Sequence, residues 1–171
     1  PLHWNEFIEV ISSLPVIPES ILDVGCGAGA LFELCKRHFP SIKYTGLDYS
    51  EDAVNLAKTK WKYDQFFVKD YKDLSSEAAQ KYSLLHAGGF LDVLPDGDTA
   101  LKYLVNLGFD FLVLGRVKFT EKESYYEEYT AYGKIRTVAY YHNKDFFMSV
   151  CISAGYEPKT VGSTILLKKV Q

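Results

Sequence analysis

The sequence is poor in the features that staple a chain covalently or carry it across a membrane. Its three cysteines, Cys26, Cys35 and Cys151, are an odd number with no C-x-x-C spacing. Neither a disulfide framework nor a metal site is expected from them, and a reducing cytoplasm suits them. No apolar run approaches the roughly 20 residues of a membrane helix, and no secretory signal is visible, so no membrane partner is expected. Positive charge is not in excess either. A net charge of -3 speaks against nucleic acid, whose binders carry a basic footprint. Methionine is nearly absent. Met148 stands alone and the chain opens on Pro1, so either a trimmed chain or a domain cut from a longer protein is expected. No repeat, low-complexity tract or linker interrupts the 171 residues, and one domain over 1–171 is the simplest organisation.

What is present alternates in kind. Trp4, Phe7, Ile8 and Ile11 recur at helical spacing over Trp4–Leu14, within an N-terminal helical segment 1–18, before Pro15 and Pro18 break the chain. Strand signals at Ile21–Val24, Lys43–Leu47, Gln65–Val68, Ser83–His86 and Phe109–Gly115 are separated by helical stretches at Leu31–His38, Glu51–Lys60, Ser75–Lys81 and Asp98–Leu107. Ser50 and Asn143 read as helix caps, and Gly155 ends the helix that Asn143 opens. The alternation predicts an α/β fold: a doubly wound, mostly parallel seven-stranded sheet with helices on both faces. Tyr156–Val161 and Thr164–Val170, joined only by Gly162-Ser163, require a C-terminal antiparallel hairpin.

The first strand runs into Asp23-Val24-Gly25-Cys26-Gly27-Ala28-Gly29. Glycines there let the backbone turn sharply and approach a ligand, and the next helix presents free N–H groups. A dinucleotide site shares this pattern if Ala30 replaces its third glycine. Asp23 argues against a pyrophosphate, which a carboxylate opposes, and suits instead a ligand that carries a sulfonium cation and an amino group. Cys26 reads as a small turn residue rather than a nucleophile.

Leu22-Asp23-Val24-Gly25-Cys26-Gly27-Ala28-Gly29 resembles the first motif of class I S-adenosylmethionine-dependent methyltransferases, and the likeness runs from Trp4 to Val170. It implies S-adenosylmethionine as cofactor, held by Asp23, Gly25, Cys26, Gly27 and Gly29. Gly46-Leu47-Asp48-Tyr49-Ser50 resembles the second-strand motif, with Asp48 on the ribose hydroxyls and Tyr49 beside it; a helix-start acid is the plainer account. Val68-Lys69-Asp70-Tyr71 resembles the third, with Asp70 on the adenine amino group and Tyr71 beside the base; a solvated loop is the alternative. Ala87 and Gly88, after the fourth strand, leave room beside the methionine part.

No substrate class is carried over. The Asp/Asn-Pro-Pro-Tyr signature of amino-methylating nucleic-acid enzymes is absent, and Val93 replaces a histidine common in small-molecule relatives. His86, at the end of the fourth strand, is the candidate base, although a hydrogen-bonded structural histidine is the commoner case. Asp92 reads as a solvated helix charge. Residues 116–142 are expected to be an irregular substrate-side insertion carrying Tyr125, Tyr126, Tyr129, Tyr132, Tyr140 and Tyr141. Phe90, Arg116, Tyr125, Tyr126, Tyr129 and His142 are its candidate substrate contacts, with a packed surface ribbon the structural alternative. The expected activity is methyl transfer to an oxygen or nitrogen of a small molecule, a sugar or polysaccharide precursor among them. A catalytically silent methyltransferase-like binding module and a nicotinamide-dependent oxidoreductase are the competing functions.

Overall fold

The computed structural model describes residues 2–131, 133 and 135–170, so Tyr132 lies outside the described residues. Its main sheet has seven strands in the order β3-β2-β1-β4-β5-β10-β9. These are β1 (Ser20–Val24), β2 (Lys43–Asp48), β3 (Phe66–Val68), β4 (Leu84–Gly88), β5 (Phe111–Gly115), β9 (Tyr156–Val161) and β10 (Thr164–Lys169). The first five run parallel, and β10 pairs antiparallel with both β5 and β9, as the two-residue connection demands. Central strands are buried on both faces, which is why Ile21-Leu22-Asp23-Val24 and Leu112-Val113-Leu114 are nearly continuous apolar runs.

The helices are α1 (Leu2–Ser12), α2 (Ala30–His38), α3 (Glu51–Trp61), α4 (Glu77–Lys81), α5 (Gly97–Asn106) and α6 (Lys144–Ser153). Both expected caps form: Ser50 Oγ accepts from the Ala53 N–H at 3.3 Å, and Asn143 Oδ1 accepts from the Phe146 N–H at 2.8 Å. One apolar cluster lies between the sheet and α5 and α6, with Leu101, Phe109 and Phe147 at its centre. The other places Phe7, Val10 and Ile11 of α1 with Phe32 and Phe66 on the opposite face. Glu6, on the buried stripe of α1, accepts from Ser163 N–H, Ser163 Oγ and Thr164 Oγ1 at 3.1, 2.9 and 2.8 Å. It thereby ties the first helix to the closing hairpin. No helix among the described residues is long and apolar enough to cross a membrane.

The tyrosine-rich section is regular rather than irregular. Strands β7 (Tyr125–Ala131) and β8 (Ile135–Asn143) form an antiparallel ribbon, and β6 (Phe119–Thr120) pairs parallel with the base of β8. Tyrosine and β-branched residues favour a pleated surface, and cross-strand stacking of Tyr125 on Tyr141, with centroids 4.9 Å apart, fixes the register.

Candidate active site

The carboxyl ends of β1 to β5 carry two adjoining hollows that share Gly25. Gly25, Gly27 and Gly29 all have positive φ, at 72°, 52° and 77°, so the turn after β1 takes a path that side-chain-bearing residues resist. The Gly25 and Cys26 N–H groups donate to the Leu47 carbonyl at 2.8 and 2.9 Å, and Trp61 Nε1 donates to the Ala28 carbonyl at 2.8 Å. The loop is therefore held from β2 and α3. A Cβ on Gly27 would meet nothing within 4 Å, so that face stays open to a ligand.

The larger hollow, about 500 Å³, is lined by Asp48, Tyr49, Asp70, Tyr71 and Phe90 among others. Asp48 accepts from the Gly27 N–H at 2.8 Å and the Ser50 N–H at 2.9 Å, one bond to each oxygen. Each oxygen keeps a further lone pair for a ribose hydroxyl. Asp70 accepts from the Lys72 N–H at 2.9 Å and starts a short 3-10 turn, Tyr71–Asp73. Tyr71 meets Phe90 edge to face at 5.2 Å, making an aromatic floor beside the two acids.

The smaller hollow, about 130 Å³, lies under α1 and is lined by His3, Phe7, Asp23, His86, Gly88 and Arg116 among others. Register places Asp23 directly beside His86, and their Oδ1 and Nδ1 atoms lie 2.6 Å apart. Burial, then the neighbouring Asp23 charge, pushes the Tyr44 phenol far above its usual range, so Tyr44 keeps its proton and donates to Asp23 Oδ2. A Cβ on Gly88 would lie 2.7 Å from His86 Nε2; glycine here leaves the ring its space. Burial and the Asp23 and Asp48 charges push the Cys26 thiol up, keeping it neutral beneath the turn.

A family model for a methyltransferase domain matches residues 22–107, half of the chain. The chain belongs to that family. Solved structures that share its fold hold S-adenosylmethionine or S-adenosylhomocysteine, human N-acetylserotonin methyltransferase (19% identity, TM-score 0.66, covering 98% of this chain and 52% of that one) among them. Among similar proteins, demethylmenaquinone methyltransferase of Thermotoga maritima is 38% identical over 72 residues, covering 42% of this chain and 31% of that protein. Ribosomal RNA small subunit methyltransferase C of Photobacterium profundum is 35% identical over 86 residues, covering 46% of this chain and 25% of the relative. The chain thus matches about a third or less of the length of these relatives. The solved sugar N-methyltransferase of a Streptoalloteichus species superposes with a TM-score of 0.71 at 12% identity, covering 99% of this chain and 87% of that one.

The residues of this methyltransferase domain fit the adenosine half of the cofactor at the larger hollow: two acids, an aromatic floor and an open glycine turn. Several expectations shift. Asp23, expected to face the cofactor's cationic end, lines the smaller hollow rather than the larger one, with one oxygen bonded by Tyr44 and the other beside His86. Ala87 is fully buried and lines neither hollow, because strand alternation turns it away from the face that carries His86 and Gly88. Phe90 lines the adenosine-sized hollow rather than the smaller one.

The expected contacts of the substrate-side insertion are corrected in their geometry. Tyr125 and Tyr129 share one face of the ribbon and Tyr126 the other; all three are exposed, and none lines either hollow. His142 is fully buried beneath the ribbon, its Nδ1 2.6 Å from Asp98 Oδ1, where no substrate reaches it in this conformation. Asp92 is not a solvated charge: its side chain is 0% exposed, on a 3-10 turn, Leu91–Val93, packed under β8. Of the expected substrate contacts, only Arg116 lines the smaller hollow. Tyr44, Glu6 and Trp61 escaped the sequence reading, since an aromatic in a buried strand or an acid on a helix carries no signal of its distant partner.

Proposed function

We propose that this domain transfers the methyl group of S-adenosylmethionine to an oxygen or nitrogen of a small molecule, with His86 Nε2 accepting the acceptor's proton. The observation that carries the reading is the Asp23–His86 pair, which turns its free ring nitrogen toward the hollow adjoining the glycine turn. The bound cofactor supplies an electrophilic methyl on a sulfonium, so no covalent enzyme intermediate is needed. Asp23 accepts the Nδ1–H of His86, fixing the tautomer whose Nε2 lone pair faces the acceptor. Tyr44 holds Asp23 in turn. Phe7 meets the His86 ring edge-on at 5.1 Å and shields it from bulk water.

A small acceptor suits the 130 Å³ hollow. Demethylmenaquinone and a sugar are named for two of the proteins above, and a sugar or polysaccharide precursor is the acceptor class we favour. Ribosomal RNA is named for the third, but a net charge of -3 provides no basic footprint for such a partner. Three free, buried cysteines suit a reducing cytoplasm. The test incubates the protein with S-adenosylmethionine and a panel of amino and hydroxy sugars, reading the mass gain of one methyl group. His86→Gln should lower turnover roughly 10²–10⁴-fold while S-adenosylhomocysteine affinity persists. Turnover by His86→Gln at the wild-type rate would remove the base. Cofactor binding without transfer to any acceptor would favour a silent binding module.

A further inference from the structure

Arg116 follows β5 with φ at +63°, a left-handed conformation that residues other than glycine adopt at a cost. Among the described residues the other non-glycine residue of this kind, Lys62, merely closes helix α3. At Arg116 the chain instead swings a guanidinium across Gly89, where a Cβ would lie 3.0 Å from Nη1. Nη2 lies 3.1 Å from Asp92 Oδ2, and Lys118 Nζ 3.9 Å from the same oxygen. Asp92 is sealed from solvent, yet neither of its oxygens accepts an aligned hydrogen bond among the described residues. Burial raises its pKa despite the two cations. A carboxylate sealed off in this way is costly, and its neighbours identify its role: it pins one edge of Arg116.

The rest of the guanidinium has no hydrogen-bond partner among the described residues. Arg116 is half-exposed, its side chain makes no aligned hydrogen bond to a described residue, and it lines the hollow that holds His86. Two cations around one buried carboxylate leave one positive charge uncompensated. A planar fork of N–H donors with one free edge matches a carboxylate in two parallel bonds. We propose that Arg116 is a carboxylate clamp beside His86, with Asp92 as its positioning residue. Two sources carry that chemistry to this place: the amino-acid end of S-adenosylmethionine and a carboxylate on the acceptor. The inference rests on the methyl-transfer reading of the same hollow.

Titration of the intact protein separates the sources without turnover. S-adenosylhomocysteine and 5′-methylthioadenosine share the adenosine and thioether, but only the first carries a carboxylate. If the clamp holds the cofactor, Arg116→Ala should weaken S-adenosylhomocysteine at least 10-fold and leave methylthioadenosine unchanged. Arg116→Lys should fall between, and Asp92→Asn should narrow the ratio of the two affinities, which a loss of stability alone does not move. If the clamp holds the acceptor, both affinities stay. Malonate added to protein saturated with S-adenosylhomocysteine should then shift the His86 ring-proton signal in wild type and not in Arg116→Ala. An unchanged affinity ratio together with a malonate response that is absent or survives Arg116→Ala overturns the clamp. Should Arg116→Ala not fold, a thermal melt will show it, and Arg116→Lys carries the same comparisons. Wild-type protein that binds neither nucleoside contradicts the cofactor site itself, a separate failure.

Discussion

Asp23–His86 and Asp98–His142 have the same 2.6 Å contact between a carboxylate oxygen and Nδ1, in opposite surroundings. The first pair joins neighbouring strands at the carboxyl edge of the sheet, and its second ring nitrogen faces a hollow. The second pair links α5 to β8 beneath the ribbon; its Nε2 is buried and has no partner among the described residues. Tyr140 and Phe147 crowd the His142 ring at 4.7 and 5.2 Å. Burial accordingly lowers the His142 pKa, outweighing the pull of Asp98 and then Asp92. Partner distance does not separate the two pairs; the surroundings of the other nitrogen do, and on the proposed reading only His86 acts as a base.

That contrast is open to attack from both sides. Asp23→Asn leaves its one acceptor oxygen to the Tyr44 O–H and turns an NH2 donor toward His86 Nδ1, which reverses the tautomer, so kcat should fall roughly 10²–10⁴-fold while the protein still melts cooperatively and binds S-adenosylhomocysteine. Unimpaired kcat would make the first pair as structural as the second. His142→Ala leaves a cavity and an unpaired Asp98, and should cost about 2–4 kcal/mol in a denaturant melt. Its turnover per folded molecule should stay within about twofold, and a collapse of kcat in a stable variant would place His142 in the chemistry. Asp48→Ala, at the other hollow, should weaken S-adenosylhomocysteine by roughly 1–3 kcal/mol without touching the pH profile of turnover.

The smallest effect is in pH. Unfolded His142 titrates near about 6.5, and its folded value is lower. Below that pH the unfolded chain binds a proton that the native state refuses, so stability is full above about pH 6.5 and declines as pH falls toward the folded value. The decline is at most about 1.4 kcal/mol per pH unit for one proton. Urea midpoints at pH 7 and pH 5.5 should differ in wild type and converge in His142→Phe. Equal slopes in the two proteins would show that His142 is not the group being titrated.

The larger hollow was largely legible from the chain because its signals are local. Strand, Gly-x-Gly-x-Gly turn and helix follow one another within Ile21–His38, and Asp48 and Asp70 each close a recognisable strand. The acceptor side was not. Ala87 and Gly88 are equally small, yet register turns only Gly88 toward the hollow. Tyr125, Tyr126 and Tyr129 were grouped by composition, and the alternation of a strand divides them. Asp92 looked like any helix-flanking acid until β8 packed over it.

The sequence by itself determined the alternating elements, the closing hairpin forced by Gly162-Ser163, and the run of acids at three successive strand ends. Those follow from periodicity, turn chemistry and the spacing of neighbours along the chain. Only the tertiary structure decided that Asp23 serves His86, 63 residues away, that Tyr44 secures it, and that Asp92 and Arg116 meet under a ribbon. Such partnerships depend on strand register and on which side of the sheet each residue faces. Both are set when the whole sheet assembles, and neither is written in any one segment.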